Sequence, residues 1–263
     1  MIQIIEFYKG TADSVIERLC KTISSFDGSW HEKCVPASDE QIQELEMICS
    51  QCGYSIPKVY LNYLKTMGEN DGGLLEREWD GYMEPSIKTI LELFHDEDFD
   101  AVEDLQRGLL LFSYHWTDAN CYLNVSGTED NPVVTNREKQ FFAENFEKYL
   151  FQKAFKIYRE QFKYNSSFGT SVNSCDAMLK KYSFVCSING GTAEERMEFV
   201  KWLVKSLKFR EEKAWFSDDL HYFSYNGHYA LSIDLYGSML LEFSCDDKNL
   251  KKTVESELNC IFQ

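Results

Sequence analysis

Apolar residues recur at helical spacing in the first two thirds of this chain, at strand spacing in its middle, and in both patterns near its end. Val15, Ile16, Leu19 and Ile23 make one helical stripe, with Thr11 or Asp13 as cap and Asp27-Gly28 as the break. Residues 1–8 read as a short strand or an extended lead-in. Pro36 to Gly73 then predicts a pair of helices. Ser38 caps the first, with Gln41 at capping-box spacing, and Ile42, Leu45, Ile48, Cys49 and Cys52 form its stripe. Gly53 ends it. Pro57 opens the second, whose stripe is Tyr60, Leu61, Leu64 and Met67, and Gly68 closes it. Ile87, Ile90, Leu91 and Phe94 predict a further helix, with a short one over Phe99–Leu105.

From Gly108 the period changes. Leu109–Phe112 is a continuous apolar run, as expected of a buried central strand, and Cys121–Val125 is a second strand. Ser113 to Asn120 is a polar turn containing Trp116. Pro132–Thr135 reads as a short edge strand, followed by a long helix over roughly Glu138–Lys163. Asn165 to Asp176 is small, polar and aperiodic, and reads as a linker over residues 165–175. It separates a first domain, residues 1–164, from a second, residues 176–263.

The second domain predicts a compact α+β unit. Its strands are Tyr182–Ile188, Ala214–Phe216, Tyr222–Tyr225, Tyr229–Leu235 and Met239–Phe243. Thr192 and Glu195 box the start of one helix, Asn226-Gly227 is a hairpin turn, and Asp246 or Asp247 caps a last helix. The fold class expected is α+β throughout: a sheet with packed helices, then a smaller antiparallel meander with two helices on one face.

Composition adds that 44% of the 263 residues are hydrophobic and 15% aromatic, enough for two cores. No window approaches the run of about 18 apolar residues that a membrane span needs. The N-terminus lacks the pattern of a signal peptide, so a cytoplasmic location is expected. Nine cysteines in no paired framework fit that location, and Cys49-x-x-Cys52 has no second pair or histidines for zinc.

Charge changes the picture more. The net charge is −16, and Glu69 to Asp104 concentrates 13 acidic side chains against Arg77 and Lys88. Phosphates would be repelled, which excludes direct nucleic-acid binding and favours a basic protein partner. Acids interleaved with aromatic side chains have the composition of a steered interface. The candidate partner-binding residues are Glu76, Glu78, Trp79, Asp80, Tyr82, Asp96, Glu97, Asp98 and Asp100. Asp96-x-Asp98-x-Asp100 imitates a calcium loop, but Ala101 stands where its glycine belongs and Arg107 where its closing acid belongs. His95 and His115 have no histidine neighbours at ligand spacing. Cys245, His221, His228 and Asp234 fall in one small domain without a nucleophile motif, and no phosphate loop, dinucleotide loop or kinase signature occurs. No catalytic residue, metal ligand or cofactor is assigned, and a non-enzyme is expected.

Several segments in order resemble the SUKH superfamily, which includes the yeast cell-wall-synthesis regulator and bacterial immunity proteins of polymorphic toxin systems. The resemblance begins at Trp30, runs through Pro36–Glu46 and continues in Ile56-Pro57-Lys58-Val59-Tyr60-Leu61-Asn62-Tyr63-Leu64. Gly108–Phe112 and Asp118–Val125 resemble its central strand and hairpin, and Pro132–Val134 with Phe142–Leu150 its closing strand and helix. It covers about residues 10–160. The exit Met67–Gly73 departs from the family by being longer and more acidic. The resemblance implies a binding module without catalytic residues. An immunity protein that neutralises a toxin, such as a nuclease or deaminase, is the function expected; a regulatory or scaffold module with an endogenous partner is the alternative. Oligomeric state and the family of the second domain do not follow from it.

Overall fold

The computed structural model describes residue 7 and residues 14–75, 83–116, 120–127, 129–170, 192–209, 212–235 and 239–262. It divides into two compact units, residues 6–154 and residues 1–5 with 155–263. The expected strand Tyr182–Ile188, the lead-in apart from Phe7 and the caps Thr11 and Asp13 lie outside the described residues.

In the first unit α1 (Val15–Ser24) is followed by a 3-10 turn at Trp30–Lys33. The helix pair is α2 (Asp39–Gln51) and α3 (Lys58–Met67). Ser38 and Gln41 form the full capping box that their spacing predicts. A two-residue ribbon, β1 (Cys34–Val35) with β2 (Asn70–Asp71), ties the entry of α2 to the exit of α3. Gly72 follows with φ +66°, and a Cβ there would meet Trp30 Nε1 at 2.6 Å, so a glycine is required.

Then come β3 (Met83–Glu84), α4 (Ile87–His95), α5 (Ala101–Gln106), β4 (Leu109–His115), β5 (Cys121–Asn124), β6 (Val134–Thr135), β7 (Phe141–Ala143) and α6 (Phe146–Glu160). The sheet is antiparallel in the order β3-β4-β5-β6-β7. Its apolar face meets α3 and the start of α6 in an aromatic cluster. Phe112 lies 5.1 Å from Phe146 and 5.6 Å from Tyr149, and Tyr60 lies 5.7 Å from Phe146. Burial of this kind is the main source of the unit's stability. Two expectations change. The helix placed over Glu138–Lys163 begins at Phe146, because Phe141–Ala143 pairs as a strand. The strand at Val134–Thr135 is therefore interior to the described sheet, between β5 and β7.

In the second unit β8 (Tyr164–Thr170) pairs with β11 (Met239–Cys245), which pairs with β10 (Tyr229–Asp234), which pairs with β9 (His221–Asn226). Residues 165–170 of the expected linker are thus a strand. Tyr164 and Phe168 pack against the core, while small residues between them hide the alternation from a composition-based reading. Ala214–Phe216, expected as a strand, is an irregular segment whose Ala214 N–H bonds to Phe223 O at 2.7 Å. The helices are α7 (Ala193–Ser206), boxed by Thr192 and Glu195 as predicted, and α8 (Lys248–Phe262). Asp247, not Asp246, caps α8, accepting from Asn249 N–H at 2.7 Å.

Leu231, Ile233, Leu241 and Phe243 share a core with Phe199 and Leu203 of α7 and Leu258 of α8. Alternate residues put Phe223 and Tyr225 on the other face, where Phe155 lies 5.1 Å from Phe223 and Tyr158 6.1 Å from Tyr225. Helices therefore flank this sheet on both faces rather than one, because the last turns of α6 belong to the second unit.

Candidate functional site

The acidic segment is described over residues 69–75 and from Met83 onward; Glu76, Glu78, Trp79, Asp80 and Tyr82 lie outside the described residues. Its scaffold is α4, whose buried side Ile87, Ile90, Leu91 and Phe94 fixes the helix to the unit. The helix stops at His95, where Nε2 is 2.6 Å from Glu44 Oε1 on α2. Asp96 then turns the chain: its Oδ1 accepts the Asp98 N–H at 2.9 Å and its carbonyl accepts the Phe99 N–H at 3.1 Å. A self-bonded turn of this kind is what aspartate favours. It leaves Asp96, Glu97 and Asp98 exposed, and among the described residues none of the three has a cationic partner.

Asp100 has a different role. Its Oδ2 takes Arg137 Nη2 at 2.5 Å, and the same guanidinium gives Nε to Asp104 Oδ1 at 2.9 Å. Asp104, 1% exposed, also accepts from Arg107 at 3.3 Å and from the Tyr122 hydroxyl at 3.1 Å. Hydrogen bonds to Asp100 and then to Asp104 push the Arg137 pKa further above its ordinary value. Burial, and next the charge of Asp104, raise that of Tyr122. Asp100 thus fastens α5 to the loop before β7 while its side chain stays half exposed.

An aromatic pair adjoins the exposed carboxylates. Phe99 packs edge-on against Tyr114 with ring centres 5.8 Å apart. Tyr114 lies opposite Glu84 across the β3–β4 pair. Just past β4, Trp116 is 63% exposed and stacks on the buried His115 ring at 6.2 Å. The His115 N–H donates to Asn120 Oδ1 at 2.7 Å. Trp116, Tyr114 and Glu84 were not among the residues expected from sequence. A tryptophan within an otherwise polar turn was the available signal.

Residues 36–152 match the model of the SMI1/KNR4 family (SUKH-1). The match supports the resemblance to the SUKH superfamily over this part of the chain. The match runs from just before the Ser38 cap, through the five-stranded sheet, into α6. It contains the whole described acidic face and leaves α1 outside, a narrower span than the sequence resemblance. No curated protein and no solved structure matches the chain significantly.

Outside the SUKH domain, the four residues weighed as a nucleophile set are not assembled. His221 pairs with Asp234 at one end of β10 and Cys245 with Tyr229 at the other. Five strand residues separate them by about 17 Å. His221 Nδ1 lies 2.9 Å from Asp218 Oδ1, but that carboxylate also accepts the N–H groups of Leu220 and His221 and closes the turn before β9. His228 lies in the Asn226-Gly227 hairpin, apart from both. Among the described residues no helix is long and apolar enough to cross a membrane, and no group of three or more His, Cys, Asp or Glu side chains could hold a metal ion.

Proposed function

We propose that this chain is an immunity-type protein that binds a basic toxin domain and blocks it by occupying its cationic surface. The observation that carries this reading is the exposed Asp96–Asp98 turn, without a cationic partner among the described residues, on the rigid end of α4 within a SUKH domain. A nuclease or nucleic-acid deaminase presents a basic cleft to phosphates, and an acidic inhibitor competes for it. The net charge of −16 speeds encounter with such a partner and opposes direct nucleic-acid binding. Expected to act with it are Glu76, Glu78, Trp79, Asp80 and Tyr82 from the same acidic segment. The action is binding, without catalysis or cofactor, in the cytoplasm.

The test is association kinetics with the toxin encoded beside this chain, captured by co-expression and pull-down. Reversing Asp96, Glu97 and Asp98 to lysine slows association by about tenfold or more at low salt, with a smaller effect at high salt. Unchanged kinetics rejects this surface. The matched family equally supports a second reading, a regulatory or scaffold module with an endogenous partner. A genome with no toxin gene adjacent to this one, and an endogenous protein recovered instead, favours it.

A further inference from the structure

We propose that a pocket between the α2–α3 loop and the β5–β6 loop takes a lysine or arginine side chain of the protein partner. This rests on the binding function proposed above and adds a contact that the Asp96–Asp98 turn does not line. The pocket has a volume of about 200 Å³. Sites for whole small molecules run from roughly 300 to 1,000 Å³, so this one suits a single side chain.

Its walls are built locally and held together. Gly53, with φ +84°, closes α2, and the N–H groups of Gly53 and Tyr54 return to Ser50 O at 3.0 Å and Cys49 O at 2.9 Å. Across the pocket, the Asp130 carbonyl accepts the Val59 N–H at 3.1 Å, which ties the β5–β6 loop to the first turn of α3. The Tyr54 hydroxyl reaches Gln106 O at 3.5 Å. Walls fixed in advance lose little freedom when a partner arrives.

The lining selects the ligand. Pro57 and Val125 are buried, whereas Glu129 and Asp130 are exposed, so the pocket is apolar at its base and acidic at its mouth. Among the described residues neither of these two carboxylates has a hydrogen bond or an ion pair. Their charges outweigh the α3 N-terminus, worth about half a positive charge. Lysine and arginine have the matching form, a methylene stem that buries and a charged head that stays at the rim. The aromatic ring of Tyr54 attracts the same head. An acidic side chain would meet like charge, and an uncharged one would leave both carboxylates unanswered.

Nα-acetyl-lysine amide and Nα-acetyl-arginine amide, titrated into the isotope-labelled full-length chain by NMR, test this. Nα-acetyl-norleucine amide is the uncharged control. A cationic probe is expected to shift the amides of Tyr54, Ser55 and Gly127 saturably, and norleucine is not. The pair Glu129→Gln, Asp130→Asn weakens binding by about tenfold. Gly127→Phe obstructs the pocket and keeps its charges; a Cβ there meets nothing within 4 Å and its φ is not left-handed, so the fold is retained, as circular dichroism checks. The triple variant Asp96→Asn, Glu97→Gln, Asp98→Asn binds the probes like wild type. An equal loss in that variant, equal binding of norleucine, or no shift with either cationic probe overturns the pocket. With the captured toxin, Gly127→Phe should raise the dissociation rate about tenfold and leave association unchanged. Probe binding with an unaltered toxin complex overturns the partner contact and leaves the immunity function standing. Probe binding by a chain that captures no toxin leaves the pocket standing and overturns the immunity function.

Discussion

Asp71 is one of the 13 acids of the Glu69–Asp104 run, and it is 1% exposed. Its carboxylate accepts the Tyr63 hydroxyl at 3.1 Å and the backbone N–H groups of Gly73, Leu74 and Leu75 at 3.0, 2.9 and 2.9 Å. The exit from α3 is thus shaped by a buried anion. Asp71→Ala is expected to cost about 3 kcal/mol, read as a lower urea midpoint at neutral pH, because the freed donors stay buried. The cysteines divide in the same way. Burial raises the Cys49 and Cys121 thiols to about 12, and Cys121 also meets the Tyr149 hydroxyl at 3.5 Å. Cys260 is exposed. A maleimide at pH 7 should label Cys260 in the native protein and reach Cys49 and Cys121 only after unfolding, as peptide mass spectrometry would show.

Elements that run over long distances were the hardest to read from sequence. The aromatic stripe of α6 looks uniform, yet Phe146 and Tyr149 serve the first core while Phe155 and Tyr158 serve the second. Nothing local marks the change, since both are helical faces of the same chemistry. Arg159 completes this second role. It is 2.5 Å from Glu242 Oε2 on β11 and also reaches Ser244 and Ser232. Arg159→Ala leaves Glu242 without that partner on a largely covered sheet face, with an expected loss of about 2–3 kcal/mol in chemical denaturation. The acidic loop offers a contrast between neighbours. Asp100→Asn disturbs the Arg137 fastening and should lower stability modestly, while Asp98→Asn should leave it unchanged, as thermal melts of the two variants will show.

At the scale of the whole molecule, 43 acids against 27 bases repel one another in the compact state. Raising the salt from about 0.01 to 0.5 M should therefore raise the melting temperature by a few degrees, since ions screen that repulsion. The same salt should slow association with a basic partner. Opposite responses of stability and on-rate to one variable would separate self-repulsion from steering.

By itself the sequence determined the helix pair, both capping boxes, the central strands and the hairpin at Asn226-Gly227, because each depends on residues within a few positions of one another. It also carried the family resemblance, whose motifs are local and ordered. It did not determine which acids are free. Asp71, Asp100 and Asp104 read like Asp96 and Asp98 until Tyr63, Arg137 and Tyr122 are brought beside them from distant positions. Only the tertiary structure decided that β8 joins the second sheet and that α6 divides between two cores. It also set Trp116 on buried His115 and brought Tyr114 against Phe99 of the acidic loop. Pairing and burial are properties of neighbours in space, and composition along the chain counts charges without saying which are already answered.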